Sequence, residues 1–293
     1  MERLLVYWNP KAGGGRAIRV HRQVCRILEA EHLTYTATER AADAARFAEE
    51  GACTILAIGG DGTFNFLINS LPLREDVILL PISAGSGNDL ARMLHNSLNP
   101  QTQLKEVLKS GQRQTLDVWT VNDRRFLEAC GLGFDGKVAA KAAALARWFP
   151  SPLRYSLTVV RQIFTAGSFP ARISADGAEV WNGPLFMASV GNGYFAGGGY
   201  KLWPQASLND GKMDVLLVGK INLFQRLLYV LLVRSGAHVK LRVTRYFKAR
   251  KLELHTEQMI HVHTDGEPME GRIFTLAYAG KISCLSSAGT QAV

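Results

Sequence analysis

Cysteine is scarce in this chain of 293 residues, and the four present, Cys25, Cys53, Cys130 and Cys284, are scattered without metal-ligand spacing. That pattern excludes a disulfide scaffold and argues for a reducing compartment without structural zinc. Long apolar runs are also missing. The strongest, residues 223–233, contains Arg226, is followed by Arg234, and is too short to span a bilayer. The first residues, Met1-Glu2-Arg3-Leu4-Leu5-Val6-Tyr7-Trp8, run straight into a strand pattern with no secretory signal. There is no internal repeat, no low-complexity tract and no linker that would separate mobile modules.

Three nucleotide-binding patterns are absent as well. Gly13-Gly14-Gly15-Arg16 lacks both the spacing and the lysine of the Gly-x-x-x-x-Gly-Lys-Ser/Thr phosphate loop. The same turn is not the Gly-x-Gly-x-x-Gly of a dinucleotide site, and the protein-kinase motifs do not occur. What the chain does have is two acid-bearing glycine turns, Gly59-Gly60-Asp61-Gly62-Thr63 and Gly85-Ser86-Gly87-Asn88-Asp89, each directly after a short apolar run. Glycines leave room for a phosphate tail and offer backbone N–H donors, while aspartates reach a hydrated Mg²⁺. This combination points to a nucleotide kinase. A net charge of +9 favours anionic partners without choosing among nucleotide, nucleic acid and membrane face.

Hydrophobic periodicity divides the chain in two. Up to about residue 116, strands near residues 4–7, 33–37, 54–58 and 77–82 alternate with helices near 16–31, 41–50 and from Thr63 onward. That is the rhythm of a mostly parallel sheet whose ligands sit at the carboxyl ends of the strands. Beyond it, short strand-like segments (residues 119–121, 125–130, 171–175, 185–190, 213–218 and 251–255) are separated by turns at Asn122-Asp123, Asp176-Gly177 and Asn209-Asp210-Gly211. Helices are expected at residues 137–147, 153–164 and 223–235. The expected domains are residues 1–120, rejoined by 281–293, and residues 121–280.

Five motifs in order, Asn9-Pro10-Lys11-Ala12-Gly13-Gly14-Gly15, the two glycine turns, Asp210-Gly211-Lys212-Met213 and Asp265-Gly266-Glu267, resemble the diacylglycerol kinase catalytic-domain family. The likeness covers essentially the whole chain, and that family also contains soluble bacterial lipid kinases, sphingosine kinases and ceramide kinases. It implies an α/β fold of two domains: a Rossmann-like nucleotide domain, a C-terminal β-sandwich domain that holds lipid, and ATP with Mg²⁺ in the cleft between them.

By the same resemblance, Asn9, Pro10, Lys11, Thr38, Gly59, Gly60, Asp61, Gly62, Thr63, Phe64, Asn65, Phe66, Ser86 and Asn88 correspond to nucleotide-binding positions. Ser86 stands where the family commonly has threonine, so a hydroxyl is kept. Asp61 is the organiser of Mg²⁺ through water, with Asp89 and Asp117 as its acidic partners. Glu267 is the proton acceptor for the lipid hydroxyl, and Asp265 positions it or the metal assembly; geometry more than an extreme pKa would carry that step. A second, structural Mg²⁺ is implied at Ser207, Asp210 and Lys212, the aspartate giving its side chain and the other two their carbonyls. His261 and His263 share one face of a strand but lack further ligands, and are read as strand residues.

The expected substrate is a membrane lipid, most simply diacylglycerol. A sphingoid base, a polyprenol, another amphiphilic alcohol, or a noncatalytic nucleotide-binding role remain the alternatives. Nucleic acid is not an expected partner, because no organised basic and aromatic stacking surface is visible. Residues 147–155 mix basic and aromatic groups suited to an anionic interface, and the 223–233 helix is another contact candidate, so a cytoplasmic enzyme in peripheral, reversible contact with the membrane is expected. Residues 191–200, rich in glycine and aromatics, are expected to line the interdomain or lipid region. Homodimerisation occurs in the family, but no interface is marked in the sequence.

Overall fold

The computed structural model describes residues 3–145 and 151–287, with the backbone alone for residues 151–156. The basic and aromatic stretch at residues 147–155 therefore lies outside the described side chains. Two compact units result, one from residues up to Val118 together with those from Gly280 onward, the other Trp119–Ala279.

In the first unit, strands β1 (Arg3–Trp8), β2 (Thr36–Thr38), β3 (Cys53–Gly59) and β4 (Val77–Ser83) form a parallel sheet in the order β2-β1-β3-β4. The end of the last strand of the chain, β13 (Glu267–Ser286), adds to β4 through Ser283 and Cys284. Strands β3 and β4 are buried along their whole length, as expected of central parallel strands covered on both faces. Helix α1 (Arg16–Ala30) turns Ala17, Val20, Val24 and Leu28 inward, a three-to-four-residue spacing that lays one apolar stripe on Val6, Leu56, Ile58, Leu80 and Ile82. Helices α2 (Ala41–Glu49), α3 (Asp61–Ser70), α4 (Asp89–Leu94) and α5 (Pro100–Ser110) complete the unit before strand β5 (Gln112–Val121) leaves it. The sequence pattern does not reveal α5, yet its start is well specified: Asn99 Oδ1 accepts from the N–H groups of Gln101 and Thr102, with Pro100 at the first turn.

The second unit is antiparallel. It contains β6 (Arg124–Phe126), β7 (Ala129–Gly133), α6 (Phe134–Ala144), α7 (Ser151–Thr165), β8 (Phe169–Ala175), β9 (Ala178–Gly191), β10 (Met213–Gly219), α8 (Leu223–Val233), β11 (Thr244–Ala249), β12 (Lys251–Thr264) and the first part of β13. The long strands β9 and β12 each give their first half to β8 and their second half to β7, which folds the sheet into a two-layered sandwich. Its core gathers Trp119, Phe126, Leu132, Phe169, Val190, Val215, Leu254, Val262 and Phe274. Expected as one strand, residues 125–130 are two, broken at Leu127 and Glu128 where the backbone turns its N–H groups to a side chain instead of a neighbouring strand.

Candidate active site

In the first unit the strand ends bring three glycine loops into contact. Asn9, directly after β1, receives the N–H of Lys11 on Oδ1 (3.1 Å) and donates from Nδ2 to Thr63 Oγ1 (3.2 Å), which ties the first loop to the start of α3. Gly13, Gly14 and Gly15 all have positive φ, and a Cβ on Gly13 would lie 2.1 Å from the Ala84 carbonyl. The other two loops touch backbone to backbone: a Cβ on Gly85 would stand 2.5 Å from the Gly60 Cα. The Gly59 carbonyl accepts from the N–H groups of Ala84 (2.7 Å) and Gly85 (3.1 Å), and left-handed Asn88 closes the second loop through both atoms of its amide onto Gly85. This close approach of backbone to backbone leaves no room for a side chain at Gly13, Gly60 and Gly85.

Asp61 opens α3 and Asp89 opens α4, and a carboxylate oxygen of each lies within 4.8 Å of the other. Gly87 sits beneath them; a Cβ there would be 2.6 Å from Asp61 Oδ2 and 3.7 Å from Asp89 Oδ2. Two converging carboxylates over a bare Cα fit a hydrated divalent cation. Asp117 is buried on β5 with the Lys281 ammonium 3.9 Å away. Among the other expected nucleotide positions, Thr63, Asn65 and Asn88 are buried, Gly62 and Pro10 are half-buried, and Lys11, Ser86 and Phe66 are exposed, whereas Phe64 packs in the core. Thr38, beside Tyr7 at the end of β2, uses its hydroxyl at the start of α2, donating to Asp43 and accepting from the Arg40 N–H.

The second unit holds the remaining residues. Asp265 and Gly266 form the two-residue turn between β12 and β13, both with positive φ as a tight hairpin requires. Asp265 is buried and its carboxylate accepts from the N–H groups of Leu127, Glu128 and Ala129 at 2.8–2.9 Å. Glu267, the first residue of β13, is exposed. Sequence reasoning passed over Glu128, a buried carboxylate whose own backbone is clamped by Asp265 and by the N–H groups of Asn192 and Gly193. Nothing local marks it, since its neighbours in space come from distant strands. His261 and His263 part company: His261 Nδ1 meets Glu270 at 2.8 Å, while His263 Nε2 meets Asp135 Oδ2 at 3.2 Å. From the 191–200 stretch, Asn192 joins the core by accepting from Trp119 Nε1 and donating to the Leu127 carbonyl.

At the 207–212 loop, Asp210 Oδ1 accepts the Lys212 N–H (3.0 Å), and Oδ2 is ion-paired with Lys248 Nζ at 2.5 Å. Lys248 also lies 3.4 Å from Asp214, whose other oxygen accepts from Tyr246. A Mg²⁺ bound in this loop through the Asp210 carboxylate would share that group with the Lys248 ammonium or displace it.

A parallel α/β sheet with acid-bearing glycine loops, continued in the chain into an antiparallel sandwich, is the two-domain architecture of the lipid and NAD kinases. The comparisons agree. Residues 3–121 match the diacylglycerol kinase catalytic domain, and residues 129–276 match the YegS C-terminal NAD kinase beta sandwich-like domain. A "Probable lipid kinase YegS-like" of Pseudomonas aeruginosa is 30% identical over 278 residues, covering 92% of this chain and 89% of that protein. A "Diacylglycerol kinase" of Bacillus subtilis is 28% identical over 274 residues, 91% and 90% of the two chains. Among solved structures, a diacylglycerol kinase from Bacillus anthracis superposes with a TM-score of 0.71 at 22% identity, covering 99% and 98% of the chains. An NAD kinase from Archaeoglobus fulgidus in complex with ATP shares the fold at a TM-score of 0.55 and 16% identity, over 98% and 95%. The chain belongs to the YegS and diacylglycerol kinase family of lipid kinases.

Proposed function

We propose that the protein transfers the γ-phosphate of ATP, with Mg²⁺, to the hydroxyl of a membrane lipid, diacylglycerol first among acceptors, giving phosphatidic acid. The observation that carries this reading is the convergence of Asp61 and Asp89 beside the interlocked glycine loops. There the backbone N–H groups of the loops and of the first turn of α3 bind phosphate oxygens, and Asn9 and Lys11 hold the neighbouring loop against them. Asp61 and Asp89 would hold Mg²⁺ through water, and the ion when bound neutralises charge on the phosphates and aligns them. Glu267 takes the proton from the lipid hydroxyl as its oxygen bonds to the γ-phosphorus and the bond to the β,γ-bridging oxygen breaks, releasing ADP. The B. subtilis relative is named a diacylglycerol kinase, which supports diacylglycerol as the acceptor.

Contact with the bilayer is proposed through the second unit. On α8, Leu223, Phe224, Leu227 and Leu231 are exposed, the second and last at 76% and 75%. On α7, which packs against α8, so are Leu157, Val160 and Phe164. A cavity of about 310 Å³ lined by Lys137, Lys141, Arg161, Gln162, Thr165 and His261 adds positive charge beside α7. Apolar helix faces flanked by cations suit an anionic interface. Among the described residues, no helix is long and apolar enough to cross a membrane. The test is transfer of labelled γ-phosphate to vesicle-presented lipids with Mg²⁺. Product from diacylglycerol supports the reading; product only from a sphingoid base or polyprenol reassigns the acceptor, and none from any lipid contradicts the reading.

A further inference from the structure

His263 lies on β12 opposite Gly131 of β7. Its Nε2 is 3.2 Å from Asp135 Oδ2, the same oxygen that accepts from Ser189 Oγ at 3.1 Å. Its Nδ1 accepts the backbone N–H of Gly266 at 3.2 Å. The strand opposite is cut to fit this arrangement. A Cβ on Gly131 would fall 2.3 Å from Asp135 Oδ2 and 2.4 Å from His263 Nε2, so any side chain there would occupy the place of the pair. Both ring nitrogens are thus committed: the proton is on Nε2, facing a carboxylate, and the lone pair of Nδ1 faces an N–H. The residue held by that lone pair is Gly266, whose next neighbour is Glu267.

We infer that His263 is a positioning residue for the proton acceptor, its Nδ1 fastening the Asp265-Gly266 turn that delivers Glu267, and Asp135 and Ser189 fixing the ring for this task. The inference rests on the reading of Glu267 as the group that receives the lipid proton. Asp265 holds the turn from its other side, onto the backbone of Leu127, Glu128 and Ala129, so the turn is fastened twice. A turn that carries a base with an error of 1 Å costs about a hundredfold in rate.

Acid should loosen one of the two fastenings. The charged groups acting on the ring are Asp135 from α6 and Asp265 from its own turn, with Tyr229 of α8 near Asp135; burial keeps that phenol neutral. Burial opposes charging of His263, but Asp135 and then Asp265 outweigh it and hold the pKa above the ordinary histidine value. Asp135 is held below the usual carboxylate range: burial pushes it up, and His263 and Ser189 together pull it further down. Below the raised pKa the second proton goes to Nδ1, which then confronts the Gly266 N–H instead of accepting it.

Asparagine and glutamine separate the two contacts, because an Asn oxygen takes the place of Nδ1 and a Gln nitrogen that of Nε2. His263→Asn should keep kcat within about threefold of wild type, whereas His263→Gln should lose about tenfold to a hundredfold in kcat with KM little changed. Hydrogen exchange at the Gly266 amide should accelerate in H263Q and not in H263N. The kcat–pH profile of wild type should fall on the acid side with a midpoint above that of a free histidine, and this limb should be absent in H263N. Equal losses in the two variants, or unchanged exchange in H263Q, would overturn the inference. Should a variant not fold, imidazole ¹⁵N shifts of the wild type at pH 8.5 decide: a proton on Nε2 supports the proposal and one on Nδ1 refutes it. Glu267→Gln is the control for the underlying reading; if E267Q is fully active while H263Q still frees the Gly266 amide, the role of Glu267 fails and the contact stands.

Discussion

The two units solve the problem of fixing polar groups by opposite means. In the first, backbone does most of the holding: the loops meet backbone to backbone at Gly60 and Gly85 and at Gly13 and Ala84, with the short Asn9 and Asn88 amides closing them, and the acids stand on the first turns of helices α3 and α4. In the second, side chains hold backbone, with Asp265 gathering three N–H groups of a distant segment, His263 a fourth, and Lys248 closing the Asp210 loop. Backbone-held sites depend on residues close in sequence; side-chain-held sites depend on residues far apart. Substitutions in the first unit should therefore change activity at little cost in stability, and those in the second should couple the two.

The largest effect expected is from Asp61→Ala, a loss of kcat of at least about a hundredfold, from removal of electrostatic organisation at the phosphates. Its melting temperature should stay near that of wild type; a folded D61A enzyme with near-normal kcat breaks the comparison at its first limb. Asp265→Ala tests the second limb. Three buried N–H groups lose their acceptor, and at about 1–3 kcal/mol for each unsatisfied donor the unfolding free energy should drop by at least about 3 kcal/mol, with activity falling alongside. Denaturant melts at matched temperature measure it, and an unchanged midpoint would show that water replaces the carboxylate.

His95 sharpens the contrast from within the first unit, for it is a buried side chain with two polar contacts to other segments, Nε2 to the Pro81 carbonyl at 2.9 Å and Nδ1 to Ser287 Oγ at 3.2 Å. Burial, against weaker upward pulls from the Pro81 carbonyl and Glu106, brings its pKa down to about 4. A histidine depressed in the folded state binds its proton more readily unfolded, so stability is intact above about pH 6.5 and is lost as pH falls toward 4. The loss approaches roughly 3 kcal/mol at about 1.4 kcal/mol per pKa unit. His95→Gln should flatten that acid slope; an equally steep slope in the variant assigns the acid sensitivity elsewhere.

Smaller effects follow. Lys248→Met should destabilise by about 1–2 kcal/mol, since buried Asp214 loses a cation but keeps the Tyr246 hydroxyl. It should also create a Mg²⁺-dependent rise in melting temperature that disappears when D210N is added. Such a rise in wild type, abolished by D210N, would show that the loop takes an ion despite its lysine. Smallest in stability are Phe224→Asp and Leu231→Asp together, within about 0.5 kcal/mol because both side chains are exposed, while retention on anionic vesicles should fall several-fold. Unchanged flotation would remove α8 from the membrane contact.

The same comparison explains what the sequence could and could not disclose. The parallel sheet is legible because β3 and β4 are mostly apolar runs, the first ending at Gly59 and the second stopping two residues before Gly85, and the acids of the loops are legible because they lie within the motif that positions them. Asp265 is legible as a turn residue, but the N–H groups it serves lie 136–138 positions upstream, so the break between β6 and β7 at Leu127 and Glu128 has no local signal. Lys248 and Asp210 are likewise 38 positions apart and meet because β11 pairs with β10. His261 and His263 of β12 look equivalent by alternation and differ because α6 brings Asp135 to one of them. The Glu128 carboxylate has no motif at all.

The most direct measurement is the rate of γ-phosphate transfer from labelled ATP to diacylglycerol in anionic vesicles with Mg²⁺, made on wild type, D61A and E267Q side by side. Labelled phosphatidic acid formed by wild type, with both variants folded and reduced by at least about a hundredfold, is the result expected. Wild-type levels of product from either folded variant, or no lipid product from wild type, would contradict the account.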